Sequence, residues 1–259
     1  MTSLPVYQKN LIALKGIIEY ELKRVLRIWR QTLIPPLINM TLFFVVFGKF
    51  IGSRIPEISG YPYIAFLTPG IIMMVIIMES YNGSVFPFFM SKFHRSVEEI
   101  LVSPVPNAII ILGYTLSGML RGLLTGTIIT LISLVFNPFI PKHPGIMILT
   151  ALLSTALFSL AGFLNAIFAK NFEDTSVIPT FILTPLVYLG GVFYSVQQLP
   201  PFWQKISLFN PIVYIIKSFR YGFLGIHSEY LTAGFTVLIV LILSLFSLNL
   251  YFLNDRLKT

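Results

Sequence analysis

Long apolar runs alternate with short polar segments along this chain, and the alternation sets the predicted architecture. Several runs continue for about 20 residues with almost no charge, the length that an α-helix needs to cross a hydrocarbon core of about 30 Å. The pattern predicts an all-α polytopic membrane protein in which residues 1–259 form a single transmembrane domain. The six predicted spans cover residues 31–51, 63–89, 107–136, 146–169, 177–194 and 231–253.

The segment 1–30 shows a helical period instead of a continuous apolar run. Its apolar residues recur at spacings of three and four, which indicates an amphipathic helix. They are Leu11, Leu14, Ile18, Leu22, Val25 and Trp29. Glu19 and Lys23 lie on another face in the favourable i,i+4 order, together with Arg27 and Arg30. We predict an interfacial helix with its cations at the lipid headgroups; a basic flank of the first span is the plainer alternative.

Residues 195–226 are apolar but interrupted. Asn210 followed by Pro211 favours a helix start, and Gly222 and Gly225 favour its end, which leaves about 14 residues. A helix of this length is too short to cross a bilayer. We therefore predict one or two short re-entrant or interfacial helices between the last two spans.

The distribution of positive charge orients the predicted spans. Six spans place both chain termini on one side, together with the loops 90–106 and 170–176. That side carries eleven of the 18 Lys and Arg residues, the other side carries six, and Arg121 lies within a span. Because cytoplasmic segments are enriched in Lys and Arg, we predict that both termini are cytoplasmic.

The segment "SKFHRSVEEILVSPVP", residues 91–106, is charged although it connects two predicted spans. Phe93, Val97 and Leu101 share one face of a helix, and Arg95 and Glu99 on another face can pair at i,i+4. Its pattern predicts a short amphipathic helix at the cytoplasmic surface. A solvated loop with one helical turn remains open, as does a docking helix whose apolar face fits a groove of a partner.

Composition excludes several classes of protein. Hydrophobic residues make up 56% of the chain, the mean hydropathy is +0.84 and the net charge is +8, which fits a bilayer with anionic lipid and gives little support for nucleic acid binding. The absence of cysteine excludes disulfides and thiolate metal sites. His94, His143 and His227 lie in separate loops without metal-ligand spacing, so no metal site is predicted. The chain also lacks a phosphate-binding G-x-x-x-x-G-K-[ST] loop.

Two charged residues lie inside predicted spans, Glu79 in the second and Arg121 in the third. Counted from the cytoplasmic ends at about 1.5 Å per residue, their heights differ by roughly 6 Å, so adjacent antiparallel helices could pair them. We consider a structural ion pair and a polar contact for substrate in a pathway as two open interpretations. The neighbouring row Gly118, Gly122 and Gly126 predicts a close helix approach, within one subunit or between two.

Three stretches resemble the permease subunit of ABC-2-type transporters, the six-span bacterial inner-membrane branch. They are "FHRSVEEILVSPVP", "LTPLVYLGGVFYSVQQLPPFW" and "NPIVYIIKSFRYGFLG". Each motif alone is moderately specific, whereas all three in this order and topology form a strong combination. The similarity covers nearly the whole chain.

The resemblance implies roles for particular residues. The segment from Phe93 corresponds to a coupling helix that docks on a separate ATP-binding subunit, with a smaller second contact in the loop near residue 173. These expected coupling residues are Phe93, Arg95, Val97, Glu98, Glu99, Leu101, Ser103, Glu173 and Asp174. The stretch 197–224 corresponds to outer re-entrant helices that close the path. The expected outer-gate residues are Tyr194, Phe202, Trp203, Asn210, Pro211 and Arg220.

The resemblance further implies a non-catalytic transport subunit in the bacterial inner membrane. Its expected partners are an ABC ATP-binding subunit, which holds ATP and Mg, a second copy of this chain, and membrane lipid. This chain is expected to bind no cofactor and no nucleic acid, and to export a lipid-like, drug-like or glycan substrate. The main alternative is a self-powered secondary carrier or channel with Glu79 as a proton site; an embedded enzyme and a membrane scaffold are weaker alternatives.

Overall fold

A computed structural model describes residues 5–94, 96, 105–226 and 231–256, with the side chains of residues 6, 49, 53 and 256 left aside. Regular structure in this part of the chain is helical. The α-helices are α1 (Val6–Arg27), α2 (Trp29–Thr32), α3 (Ile34–Phe43), α4 (Tyr63–Phe93), α5 (Asn107–Phe136), α6 (Pro144–Phe168), α7 (Phe172–Ile178), α8 (Thr184–Leu189), α9 (Pro201–Ser207), α10 (Pro211–Leu224) and α11 (Leu231–Arg256).

Five helical segments in the described residues are long and apolar enough to cross a membrane. They are Trp29–Gly48, Tyr63–Phe93, Asn107–Phe136, Pro144–Phe168 and Leu231–Asp255. The predicted span 177–194 is not among them. The helical run there extends from Phe172 to Leu189 and contains a π-helical turn at Pro179–Leu183. Proline donates no backbone hydrogen bond, which favours such an irregular turn. The sixth span therefore stays a prediction.

Helix α4 forms the centre of the bundle, because α5, α6 and α10 all pack against it. Glycines permit this close packing. A Cβ atom on Gly118 of α5 would lie 2.8 Å from the Ser80 carbonyl oxygen, and one on Gly162 of α6 would collide with the Tyr81 carbonyl oxygen. Gly122 and Gly126 also face α4, so the predicted glycine row packs within this chain.

The amphipathic helix α1 packs on α5, where Ile17 covers Gly113. The side of α1 that meets the bundle includes Glu21 and Val25, which are 3% and 7% exposed. Val25 belongs to the predicted apolar stripe, whereas the stripe positions 11, 22 and 29 are 46%, 36% and 46% exposed. The bundle therefore contacts one edge of the helix, and most of the stripe remains open for the lipid contact that we predict. The interfacial position of this helix stays a prediction.

Candidate functional site

The predicted intramembrane charges meet at the interface of α4 and α5. Arg121 donates from Nε and Nη2 to Glu79 Oε2, at 2.9 and 2.7 Å. Their side chains are 11% and 10% exposed. Gly83 stands next to the pair, and a Cβ atom on Gly83 would lie 2.9 Å from the Cα atom of Gly118. Glycines on both helices thus provide the close approach that brings the two charges together.

A cavity of about 270 Å³ adjoins Glu79 between the first two spans. The described residues that line it are Pro35, Pro36, Asn39, Met40, Met74, Val75, Met78 and Glu79. Glu79 therefore contacts Arg121 on one side and a mainly apolar cavity on the other. This placement keeps both sequence interpretations, a structural pair and a pathway contact, chemically possible.

The end of α4 at Phe93 is bonded to the end of α6. The Lys92 ammonium donates to the carbonyl oxygens of Ala166, Ile167 and Ala169, each at 2.9 Å. These carbonyls belong to the C-terminal turn of α6, where a helix leaves acceptors without internal partners and where a cation is favourable. Lys92 therefore fixes the start of the predicted coupling segment to the adjacent helix.

Aromatic packing joins the same region to α7. The Phe172 ring lies 5.0 Å from the Phe89 ring and 5.2 Å from the Phe93 ring, between centroids. Asn165 adds a hydrogen bond from Nδ2 to the Thr175 carbonyl oxygen at 3.2 Å. We call Phe89, Lys92, Phe93, Asn165 and Phe172 the loop junction, because they connect the beginnings of both predicted cytoplasmic loops.

The predicted coupling residues are only partly described. Phe93 ends α4 and is 58% exposed. Glu173 and Asp174 lie in the first turn of α7, where we predicted a loop. The helix starts early because Asn171 Oδ1 accepts from the Asp174 amide and Asp174 Oδ2 accepts from the Asn171 amide, a capping box. Arg95, Val97, Glu98, Glu99, Leu101 and Ser103 lie outside the described residues.

At the opposite end of the bundle, Arg220 of α10 holds the turn that follows α8. Its Nη2 donates to the Gly191 carbonyl oxygen at 3.0 Å, and its Cζ lies 3.7 Å from the centroid of the Phe66 ring. Gly191 has a φ of +82°, a conformation that glycine adopts without strain. Tyr63 donates to the Phe193 carbonyl oxygen at 3.1 Å. The turn is thus bonded to both α4 and α10.

Asn210 performs two structural functions at the start of α10. Its Oδ1 accepts from the Ile212 amide at 3.0 Å, which caps the helix, and its Nδ2 donates to the Leu186 carbonyl oxygen at 2.7 Å. Pro211 occupies the first helical position, where its missing N–H costs little. These contacts connect α10 with α8.

Three of the predicted outer-gate residues line one cavity of about 460 Å³. The described lining residues are Leu186, Leu189, Tyr194, Leu199, Trp203, Ile206, Ser207, Phe209 and Asn210. Arg220 lies outside this lining, in the turn contact. Phe202 also lies outside it and is 66% exposed.

Lys92 is the clearest contact that the sequence reading missed. In the sequence, Lys92 is one of several cations near a predicted loop. Its three hydrogen bonds are to the end of a helix that is distant along the chain, so the local pattern does not show them. The signal that could have indicated this contact is the position of Lys92 in the last turn of one span, at the same side of the membrane as the predicted end of another span.

Five apolar helices and a paired charge inside the bundle define a multi-pass membrane protein. The sequence profile described as ABC-2 type transporter matches residues 13–224. The chain belongs to the ABC-2 type transporter family. It is 52% identical over 235 residues to "Inner membrane transport permease YadH" of Escherichia coli (strain K12), which covers 91% of this chain and 92% of that protein.

More distant relatives share part of this length. "Nodulation protein J" of Sinorhizobium fredii (strain NBRC 101917 / NGR234) is 27% identical over 184 residues, which covers 70% of this chain and 68% of that protein. The protein of the same name from Rhizobium meliloti (strain 1021) is 26% identical over 181 residues, with coverages of 69% and 68%. The chain is accordingly a transport permease of the multi-pass inner-membrane type.

Proposed function

We propose that this chain is the transmembrane subunit of an ATP-driven exporter, powered by a separate ATP-binding subunit that docks on the segment after Phe93. Family membership and the loop junction support this proposal. The subunit works as a homodimer in a bacterial inner membrane, with six spans and cytoplasmic termini. Its cargo is lipid-like, drug-like or a glycan, and ATP and Mg bind only to the partner.

The proposal rests mainly on the contacts that connect the starts of the two predicted cytoplasmic loops. Lys92 connects α4 with the end of α6, and Phe172 connects α4 with α7. A force applied to the segment after Phe93 therefore reaches α6 and α7 together. A permease driven by a docking subunit needs such a connection, because the bound nucleotide acts on the membrane helices only through this contact.

The alternative of a proton-driven carrier receives no support from Glu79. A proton carrier must exchange its proton with water on alternating sides, whereas Glu79 is 7% exposed and bonded to Arg121. The ion pair is better explained as a structural contact that joins α4 to α5 beside the cavity. We assign no proton transfer to this site.

The test is co-purification of the chain with the ATP-binding protein from its genome, followed by measurement of ATPase turnover in lipid nanodiscs. The double charge reversal Glu98→Arg/Glu99→Arg is expected to weaken association by about tenfold or more, since like charges at an interface cost several kcal/mol. Glu57→Arg is the matched control, because Glu57 is exposed and lies in the predicted outer loop. Unchanged association in the double variant, with the protein folded, would contradict docking on this segment.

A further inference from the structure

A charged cavity lies between α1, the end of α4, and α5. None of its described lining residues is a predicted coupling or outer-gate residue, although His94 and Ser96 lie at the start of the coupling segment. Its volume is about 380 Å³, within the range of roughly 300–1,000 Å³ found for ligand sites. The described residues that line it are Gly16, Ile17, Tyr20, Glu21, Arg24, Pro87, Met90, Ser91, His94, Ser96 and Tyr114. One wall is apolar and the other carries ionic and hydroxyl groups.

The central feature of this cavity is a carboxylate that is almost fully buried. Glu21 is 3% exposed, and its Oε2 accepts from Arg24 Nε at 2.7 Å. Burial raises the pKa of Glu21, and Arg24 acts in the opposite direction without overcoming it. A second cation at the carboxylate would therefore stabilise its ionised form.

Arg24 supplies the opposite charge at the same cavity. Its Nε is used by Glu21, and its two terminal nitrogens have no hydrogen-bond partner among the described residues. A guanidinium with unused terminal N–H groups is suited to a phosphate oxygen. Hydroxyl groups of Ser91, Ser96 and Tyr114 line the same cavity, and the Ser91 and Ser96 hydroxyls form a hydrogen bond with each other at 3.1 Å. The cavity thus presents a carboxylate next to a guanidinium.

The position of α1 indicates where such a ligand would come from. Helix α1 ends at Arg27, and the first candidate span begins at Trp29, a residue type that favours the membrane interface. The last turns of α1 therefore lie at the depth of the lipid headgroups. Ile17, Pro87 and Met90 provide the apolar wall against which the first carbons of a lipid's acyl chains can lie.

We propose that this cavity binds the headgroup of an aminophospholipid, with the ammonium at Glu21 and the phosphate at Arg24. Phosphatidylethanolamine has both groups. Phosphatidylglycerol lacks the ammonium, and the quaternary ammonium of phosphatidylcholine has no N–H to donate to a carboxylate. The site therefore discriminates by hydrogen bonding to the amine. The proposal goes beyond transport and does not depend on the ATP-binding subunit.

The test is native mass spectrometry of the full chain, delipidated and then exposed to equal amounts of the three phospholipids. A charge-assisted hydrogen bond contributes about 1.5–3 kcal/mol, so retention of phosphatidylethanolamine over phosphatidylglycerol is expected to be about tenfold or more. Glu21→Gln should remove this preference, and Arg24→Gln should weaken binding of both lipids. Equal retention of the three lipids by the unmodified chain would overturn the proposal, and that comparison needs no variant to fold.

Glu19→Gln and Lys23→Gln are matched controls. They change the same charges on the same helix, but this pair is exposed, with side chains 52% and 70% accessible. Both variants should leave lipid retention unchanged. A loss equal to that of the Glu21 and Arg24 variants would mean that retention depends on the overall charge of α1 and not on this cavity. Soluble glycerophosphoethanolamine is added in a parallel arm. Its complete displacement of the lipid at equal concentration would overturn a lipid site in favour of a soluble ligand.

Discussion

Separating Glu79 from Arg121 provides the sharpest test of how charge is held inside this bundle. Glu79→Gln and Arg121→Gln each remove one charge of the pair and leave the other without its partner. The two side chains are only 10% and 11% exposed, so water screens the remaining charge poorly. Breaking a buried pair from one side costs about 3–5 kcal/mol. This is a large fraction of a typical unfolding free energy of about 5–15 kcal/mol.

The double variant should recover part of this loss. With both charges removed, no uncompensated ion remains, and two neutral amides can bond to each other. We expect the loss in the double variant to be smaller than the sum of the single losses by about 1–3 kcal/mol, the interaction energy that contacting residues show. The coupling reports the ion pair because each substitution preserves most of the side-chain volume.

The assay is reversible unfolding of the chain in mixed micelles of lipid and detergent, with the free energy of unfolding measured for all four proteins. Glu19→Gln and Lys23→Gln form the matched cycle, because their ion pair has nearly the same length, 2.8 Å, but is exposed. That cycle should show no measurable coupling. Additive losses at Glu79 and Arg121 would refute the pairing. Unchanged transport by a normally assembled double variant would remove both residues from the substrate path.

Two further predictions concern contacts at the ends and centre of α4. Lys92→Met removes three charge-assisted hydrogen bonds while keeping the aliphatic stem, so it should lower the free energy of unfolding by about 1.5–3 kcal/mol in the same assay. It should also lower the stimulation of the partner's ATPase turnover by this chain. Unchanged stimulation would contradict the proposed role of the loop junction in coupling. Gly162→Ala should cost about 1–3 kcal/mol through its collision with the Tyr81 carbonyl oxygen, whereas Gly145→Ala, with nothing within 4 Å, should be neutral. Equal thermal stability of the two alanine variants would refute the packing argument.

The apolar runs predicted the long helices well, because a membrane requires continuous hydrophobic length and internal backbone bonding. The predicted spans 63–89 and 107–136 correspond closely to Tyr63–Phe93 and Asn107–Phe136. The depth estimate also anticipated that Glu79 and Arg121 could meet. Both predictions rest on local spacing along one or two straight helices, which the sequence carries directly.

The segment between Lys170 and Leu189 shows where this reasoning stops. Its hydropathy places a span at 177–194, yet the helix begins at Phe172, because the Asn171–Asp174 capping box satisfies its first amides. The π-helical turn at Pro179–Leu183 then changes the register of the side chains. Hydropathy records neither capping nor a change of helical register. The helical run from Phe172 to Leu189 is therefore offset by about five residues from the predicted span 177–194, which stays a prediction.

Glu21 could not be distinguished from the exposed charges of α1 by its sequence position. An acidic residue among many cations is usually solvated, and the helical period alone does not say which edge of an amphipathic helix meets the protein. The contact of Ile17 with Gly113 decides the rotation of α1. This contact joins residues that are distant in the sequence, so no pattern within the first 30 residues contains it.

The helical run from Phe172 to Leu189 is bonded at both ends and exposed in its middle. Phe172 packs on α4 at one end, and the Leu186 carbonyl oxygen accepts from Asn210 near the other. Between them, Phe181 and Ile182 are 73% and 53% exposed, and the π-helical turn interrupts the regular ladder. A segment with few buried contacts bends at low cost in packing energy. Under the proposed function, the π-helical turn is therefore the place where this run bends when the loop junction moves relative to the turn held by α10.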